Sequence, residues 1–297
     1  MFAALVRDPG SAADSELVNL LLPTTRVAAG VNVGQAKSSP FGQFLLARMS
    51  AENHLTKKTG FDPRTDLQEV LMGTTGQAAQ QGLVLAKGTF NTKIIFAAAQ
   101  ASGGTIETYH DIPVLTGKEN TTVHAVAFLG SSVAIAGDLD SVHAAIDRRT
   151  ATSPAIDAAL VAQIDQESET FDAWSISTVP LSTLANQKLP DQQLNNILSS
   201  DLLKSIQQSS GGVKFGQTVQ FSGQAVADSS QNATALADVV RFLGTMAQAN
   251  APASAAAAIG ALLQSLSVQT DGNTLTLAAA IPEPQLESLV REAHQHR

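Results

Sequence analysis

The sequence has no cysteine. That removes disulfides, thiolate metal sites, iron–sulfur clusters and a cysteine nucleophile together. Charge is scarce. Charged residues make up 15% of the chain, where soluble domains ordinarily carry about 25%. The balance is acidic, with 18 basic against 26 acidic residues and a formal net charge of −8. No basic cluster exceeds two adjacent residues, at Lys57-Lys58 and Arg148-Arg149. A nucleic-acid binder needs a cationic surface to displace phosphate counterions. Aromatics are only 4%, which leaves little for a base-stacking platform. No nucleic-acid partner is therefore expected. Long apolar runs are missing too. Ala251–Leu263 and His124–Gly137 fall short of the about 18 residues a transmembrane helix needs. The start, Met1 to Asp8, has no basic n-region and too short an apolar core for a signal peptide.

What is present is core-forming material. Residues of hydrophobic type make up 44% of 297, with 21 glycines besides, so the chain is globular rather than disordered. A short helix over Glu16–Leu22 ends at Pro23. The first strand reads Arg26–Val33, with Val27, Ala29, Val31 and Val33 on one face. Ser39 and Pro40 open a helix through Met49, whose stripe is Phe41, Phe44, Leu45 and Met49. Strands follow at Gln68–Thr74 and Gly82–Phe90. A helix over Asn91–Gln100 should turn Ile94, Ile95 and Ala98 inward. Three strands near Thr105–Thr116, Thr122–Leu129 and Val133–Gly137 precede a helix over Asp140–Arg148.

The second half follows the same order. A strand over Phe171–Val179 carries the single tryptophan, Trp174. Helices are predicted at Leu181–Ala185 and Asp191–Gln208, the latter broken by Gly211-Gly212. Two strands then place Val213, Phe215, Val219, Phe221, Ala225 and Ala227 on one side. A helix capped by Ser230 carries Leu236, Val239, Val240, Leu243 and Met246 at helical spacing. The alanine-rich stretch Ala251–Ala261 reads as a further helix. A hairpin turns at Asp271-Gly272-Asn273, and a helix starts at Pro284. The expected fold is α+β. It has two tandem β-α-β-β-α-β-β-α repeats and mostly antiparallel sheets covered by helices. The divisions are 1–25 for an N-terminal extension with its short helix, 26–165 for one repeat and 166–297 for the other, or one continuous domain.

The chemistry-bearing patterns are mostly missing. Gly-x-Ser-x-Gly is absent. Lys58-Thr59-Gly60 matches an element of penicillin-recognising serine enzymes, but their Ser-x-x-Lys has no counterpart, so the tripeptide reads as chance. Neither Gly-x-Gly-x-x-Gly nor the phosphate loop occurs, and Gly117-Lys118 runs into Glu119. There is no His-Glu-x-x-His among His54, His110, His124, His143, His294 and His296. His294 and His296 read as a polar terminus. His110-Asp111 with His124 would make a small metal or acid–base site if folding joined them, although partly exposed strand histidines are the plainer reading. Asp138 and Asp140 fit helix capping better than calcium binding or glycoside hydrolysis. Asp62, Asp66 and Glu69 read as turn and surface acids. Arg241 pairs with Asp238 on a helix surface. Trp174, with Phe41, Phe44, Phe215, Phe221 and Phe242, reads as packing. No catalytic, cofactor-binding or metal residue is assigned, and no cofactor.

The segment Val27-Ala28-Ala29-Gly30-Val31-Asn32-Val33, followed by Ser39-Pro40-Phe41, resembles the opening strand and Ser-Pro helix start of uncharacterised bacterial proteins that are mostly exported or lipid-anchored. Gly60-Phe61-Asp62-Pro63, Leu85–Phe96 and Phe128–Gly137 fit the same pattern, so the likeness spans about residues 20–150. Asn32 stands where those proteins usually have aspartate. The resemblance implies a periplasmic or extracellular setting and carries over no activity and no functional residue. Three functions are then weighed in order. The leading one is a non-catalytic envelope or interaction protein. The next is a carrier or sensor of an apolar small molecule or lipid in a pocket between sheet and helices. The last is an enzyme with an unrecognised site, and the reading leans away from it.

Overall fold

The computed structural model describes residues 12–51, 59–76, 82–119, 122–184, 201–251 and 255–295. Its centre is one antiparallel sheet of twelve strands. In chain order these are β1 (Val27–Asn32), β2 (Leu67–Thr74), β3 (Gly82–Gly88), β4 (Thr105–Tyr109), β5 (Ile112–Glu119), β6 (Thr122–Leu129), β7 (Val133–Asp138), β8 (Ala173–Ser177), β9 (Ile206–Lys214), β10 (Thr218–Ala227), β11 (Ser267–Asp271) and β12 (Thr274–Pro282). The β1 and β8 strands pair near the middle. From β1 the order runs outward through β2, β3, β7, β6, β5 and β4. From β8 it runs through β9, β10, β12 and β11.

Twelve helices are described: α1 (Ser15–Leu20), α2 (Val33–Ala36), α3 (Pro40–Ala51), α4 (Pro63–Asp66), α5 (Thr92–Ala101), α6 (Leu139–Asp147), α7 (Ala158–Thr170), α8 (Leu181–Leu184), α9 (Asp201–Lys204), α10 (Ser230–Ala249), α11 (Ala256–Ser265) and α12 (Glu283–Gln295). Side-chain oxygens cap many of them. Asp14 accepts from Glu16 and Leu17 at the start of α1. Ser39 Oγ accepts from Gly42 N at 2.9 Å in α3. Asp138 accepts from Ser141 N at 2.9 Å in α6. Each satisfies an N–H that the first helical turn leaves unpaired.

Side chains alternate across a strand, so the sheet has a front and a back. The front row Trp174, Gly30, Leu71, Leu85, Ile135, Ala127 and Val114 follows the pairing register across seven strands, and all of it is buried. Helices α1, α6 and α7 cover it, contributing Leu17, Leu20, Val142, Ile146, Leu160 and Ile164 to the largest core. Beyond β8 the covered side switches. There the front carries Gln220, Gln224 and Ala278, all exposed, and the back packs against α10, α11 and α12.

Several expectations are corrected. The strand read over Thr105–Thr116 is a hairpin, β4–β5, folded at His110 and Asp111, whose φ values are 48° and 66°. Helix Asp191–Gln208 does not reach Gln208, because α9 ends at Lys204 and β9 begins at Ile206. Its residues 191–200 lie outside the described residues. Gly211 and Gly212 therefore lie within a strand and break no helix. Ile94 of α5 is exposed rather than inward, and Phe242 of α10 is 58% exposed rather than core. The cap of α10 is Ser229, not Ser230. In β1 Val27, Ala28 and Gly30 are buried, while Ala29 is partly exposed and Val31 exposed, so the expected one-sided stripe is not formed. Glu69 is no surface acid. It is 4% exposed and accepts the Asp14 N–H.

Candidate functional site

The histidines do not form one site. His110 lies at the β4–β5 turn, and His124 pairs with Gly117 near the other end of β5. Gly117 is seven positions beyond His110, most of them along β5, which is roughly 20 Å. His110 instead sits 3.3 Å from Asp147, and His143 sits 3.3 Å from Glu107. Tyr109 stacks on His143 with ring centroids 3.8 Å apart and donates to Asp147 at 3.1 Å. These contacts hold the hairpin against α6. Among the described residues no group of three or more His, Asp or Glu is arranged to hold a metal ion.

The other candidates have structural roles. Asp138 caps α6 and also accepts from Ser141 Oγ at 2.7 Å, while Asp140 is exposed in the first turn. Thr59 is buried and accepts from Phe61 N. Asp62 caps α4 and pairs with Arg64. Arg241 pairs with Asp238 at 2.9 Å on an exposed surface. Gly117 and Lys118 lie near the end of β5, paired with β6. Trp174 is buried on the front, lying over Gly30, where a Cβ would approach its ring to 2.5 Å. His54, Lys57, Lys58 and His296 lie outside the described residues, as does the side chain of His294.

A feature that no sequence motif marks lies on the back of the sheet. One residue from each strand lines up in register there. From β11 to β8 the row is Val268, Leu277, Gly223, Gly211 and Ser175. It continues through Ala29, Met72, Val84, Ala136, Val126, Leu115 and Ile106 to β4. Ser175 is its single polar member. Every one of the twelve is at least partly exposed. Met72 at 40%, Val84 at 39% and the adjacent Val31 at 37% are among the most exposed large apolar side chains described. At about 4.8 Å between strands the row runs for roughly 50 Å.

At the β11–β12 end Val268 and Leu277 pack against the α10 cluster, but the middle of the row is left open because its central floor has almost no side chain to pack. Gly223, Gly211, Ser175 and Ala29 occupy four adjacent strands. On one side of the floor, Leu275 and Ala225 pack with α10 in one apolar cluster. On the other, Val219, Ile281, Phe221 and Val213 pack with α3, α11 and α12 in a second. Between the clusters lies a cavity of about 540 Å³ over Ala173, Ser175, Gly211, Gly223, Leu277 and Leu266. That volume falls within the range of small-molecule sites, about 300–1,000 Å³. Helices α10 and α11 pack against each other and both against β12, which closes that end. Toward β1, β2 and β3 the floor continues as the exposed Met72 and Val84.

A smaller hollow of about 240 Å³ lies on the other side of the molecule's centre, lined by Thr24, Thr25, Thr74, Thr75, Asp138 and Asp140 among others. Its acids are those already placed at the start of α6.

No family model matches the sequence, and no curated protein matches it. The solved structure described as crystal form IV of TP0453 is similar in fold. The match covers 94% of this chain and 97% of that one, with a TM-score of 0.54 and 10% sequence identity. At that identity the likeness is one of fold alone. The chain is an α+β protein built on a large antiparallel sheet with helices, and no described helix is long and apolar enough to cross a membrane.

Proposed function

We propose that this protein is a non-catalytic binding protein that holds an apolar small molecule in the trough on the back of its sheet. The observation that carries the reading is the in-register row of exposed apolar and glycine positions joined to the 540 Å³ cavity. Burying such a surface under a ligand is favourable by roughly 25 cal/mol per Å² of apolar area. The carrier reading therefore moves ahead of a general interaction role. The two-repeat reading is part of the same proposal. It is supported by strand orders that run outward from the β1–β8 pair in matching sequence on both sides. In each half a hairpin, β6–β7 or β11–β12, leads directly into a helix, α6 or α12. An envelope location is proposed only on the resemblance of the opening strand and helix.

The test uses an environment-sensitive apolar fluorophore titrated into the full chain, alongside native mass spectrometry. Ser175 is exposed at the trough floor, so Ser175→Trp fills the trough without disturbing the front core. It should reduce probe affinity at least tenfold. Gln224→Trp, exposed on the front of β10, should leave affinity unchanged. Equal probe binding by wild type and Ser175→Trp would overturn the assignment.

A further inference from the structure

We infer that the smaller hollow, where β2 ends and α6 begins, binds a small organic ammonium ion. This is a second site, separate from the trough. Gly73 and Leu83 in its floor stand two residues from Leu71 and Leu85, so they lie on the front of the sheet, and the trough lies on the back. Gly73 has no side chain. A Cβ there would lie 2.6 Å from Leu21 and 3.3 Å from the Thr25 hydroxyl oxygen, so the segment after α1 comes down close against the strand.

Three observations give the ligand its chemistry. The first is charge. Two carboxylates and five hydroxyl side chains line the hollow, with no lysine, arginine or histidine. Both Asp138 oxygens are taken by Ser141 at the start of α6. Asp140 has no hydrogen bond or ion pair among the described residues. Arg26, next to Thr25 in the chain, donates to the carbonyls of Pro23 and Thr25 instead. Such a lining repels an anion and offers a cation a carboxylate with no other counter-charge. The second is an unpaired hydroxyl. Thr25 is 3% exposed and lines the hollow, and its side chain has no partner among the described residues. Burying a hydroxyl unpaired is unfavourable, and a donor from a ligand in the hollow removes that cost. The third is size. At about 240 Å³ the hollow is smaller than the sites of drug-sized ligands. Leu22 and Leu83 make part of its wall apolar. An alkylammonium ion answers all three: its three N–H donors suit the Asp140 carboxylate and the Thr25 hydroxyl, and a short alkyl body suits the leucines.

The experiment titrates n-propylammonium chloride into the isotope-labelled full chain and follows backbone amide shifts by NMR. Propanol and sodium propionate are the neutral and anionic comparisons of similar size. Propylammonium should give saturable shifts at Gly73, Gly82 and Ser141 that weaken at high salt, and the other two should not. Asp140, exposed in the first turn of α6, can change without disturbing the core. Asp140→Asn should weaken binding by about tenfold or more, the loss of a hydrogen bond to a charged group. Thr25→Val keeps the shape of the side chain without its hydroxyl and should also weaken it. Asp271→Asn, an exposed acid on the closing hairpin, and Ser175→Trp in the trough should leave it unchanged. Propanol that binds as well as propylammonium would overturn the inference, as would an Asp140→Asn variant with wild-type affinity. Displacement of propylammonium by calcium chloride at matched ionic strength would make this a metal site and overturn it too. None of these outcomes touches the trough, whose test reads an apolar probe.

Discussion

Asp172 shows how one residue ties the two sides of the central strands together. It precedes β8, its carboxylate accepts the Phe215 N–H at 2.6 Å, and its backbone carbonyl accepts from Asn32 N at 2.7 Å. Burial pushes its carboxyl above the ordinary range, against the opposing pull of the Phe215 N–H and Lys214. A raised carboxyl value means the folded state holds the proton more firmly than the unfolded chain does. The stabilising contribution is therefore complete at low pH and is lost as pH rises from the ordinary carboxylate value through the raised one. Asp172→Asn keeps an acceptor for Phe215 and cannot ionise. Its stability relative to wild type should rise between pH 4 and pH 7, measured by urea unfolding at each pH. Asp172→Ala leaves the N–H without its partner and should destabilise at both, by about 1–3 kcal/mol. A stability difference between Asn and wild type that does not change with pH would exclude this account.

At the scale of elements, the β4–β5 hairpin shows what the sequence conceals. A run of β-type residues over Thr105–Thr116 looks like one strand because its turn, His110-Asp111, lacks the glycine that two-residue hairpins favour. Both residues carry positive φ, which costs a side chain about 1–2 kcal/mol relative to glycine. Contacts with α6 offset that cost: Tyr109 on His143, and His110 beside Asp147. Asp111→Gly relieves one of the two strained positions and leaves those contacts in place. It should stabilise by about 0.5–1 kcal/mol, read as a higher midpoint in chemical denaturation. No change, or a loss, would mean that Asp111 makes a compensating interaction. The closing hairpin at Asp271-Gly272-Asn273 carries the expected glycine, and there the reading and the structure agree. Gly211-Gly212 misled for the opposite reason. Glycine pairs punctuate helices, but here adjacent strands approach too closely for side chains. A Cβ on Gly211 would lie 2.4 Å from Ser222 O, and one on Gly212 would lie 2.5 Å from Ala173 O. The trough had a sequence signal of a different kind. Leu83-Val84-Leu85-Ala86 is apolar at both parities, the pattern of a strand covered on both faces, yet only Leu83 and Leu85 are buried. Alternation along each strand was legible. The alignment of Ser175, Ala29 and Met72 depends on pairing register between strands distant in sequence, and no local pattern encodes that.

For the whole molecule, the larger helix-covered face changes sides while the sheet does not break. Trp174 and Ile176 of β8 belong to the same buried core as Leu71, Leu85 and Ile135 of the first half. The β1 and β8 strands share a full register from Val27 with Ser177 to Val31 with Ala173. A cut near residue 165 would therefore expose the edge of β8 and strip the cover from Trp174 and Ile176. It would also strip the partners of Ala28 and Gly30. An exposed, apolar strand edge is a template for pairing with other chains. The second half expressed alone, residues 166–297, should self-associate or unfold without a cooperative transition. The full chain should unfold in one transition, with calorimetric and van't Hoff enthalpies in agreement. Two separated transitions in the full chain, or a monomeric second half with its own sharp melt, would show that the halves are independent units. The same continuity bears on binding, since the trough floor crosses from β9 and β8 to β1 and β2. A ligand spanning that seam contacts both halves, so it should raise the single melting transition of the full chain in proportion to its occupancy. Ser175→Trp, which blocks the seam, should abolish that shift while leaving the unliganded melt in place.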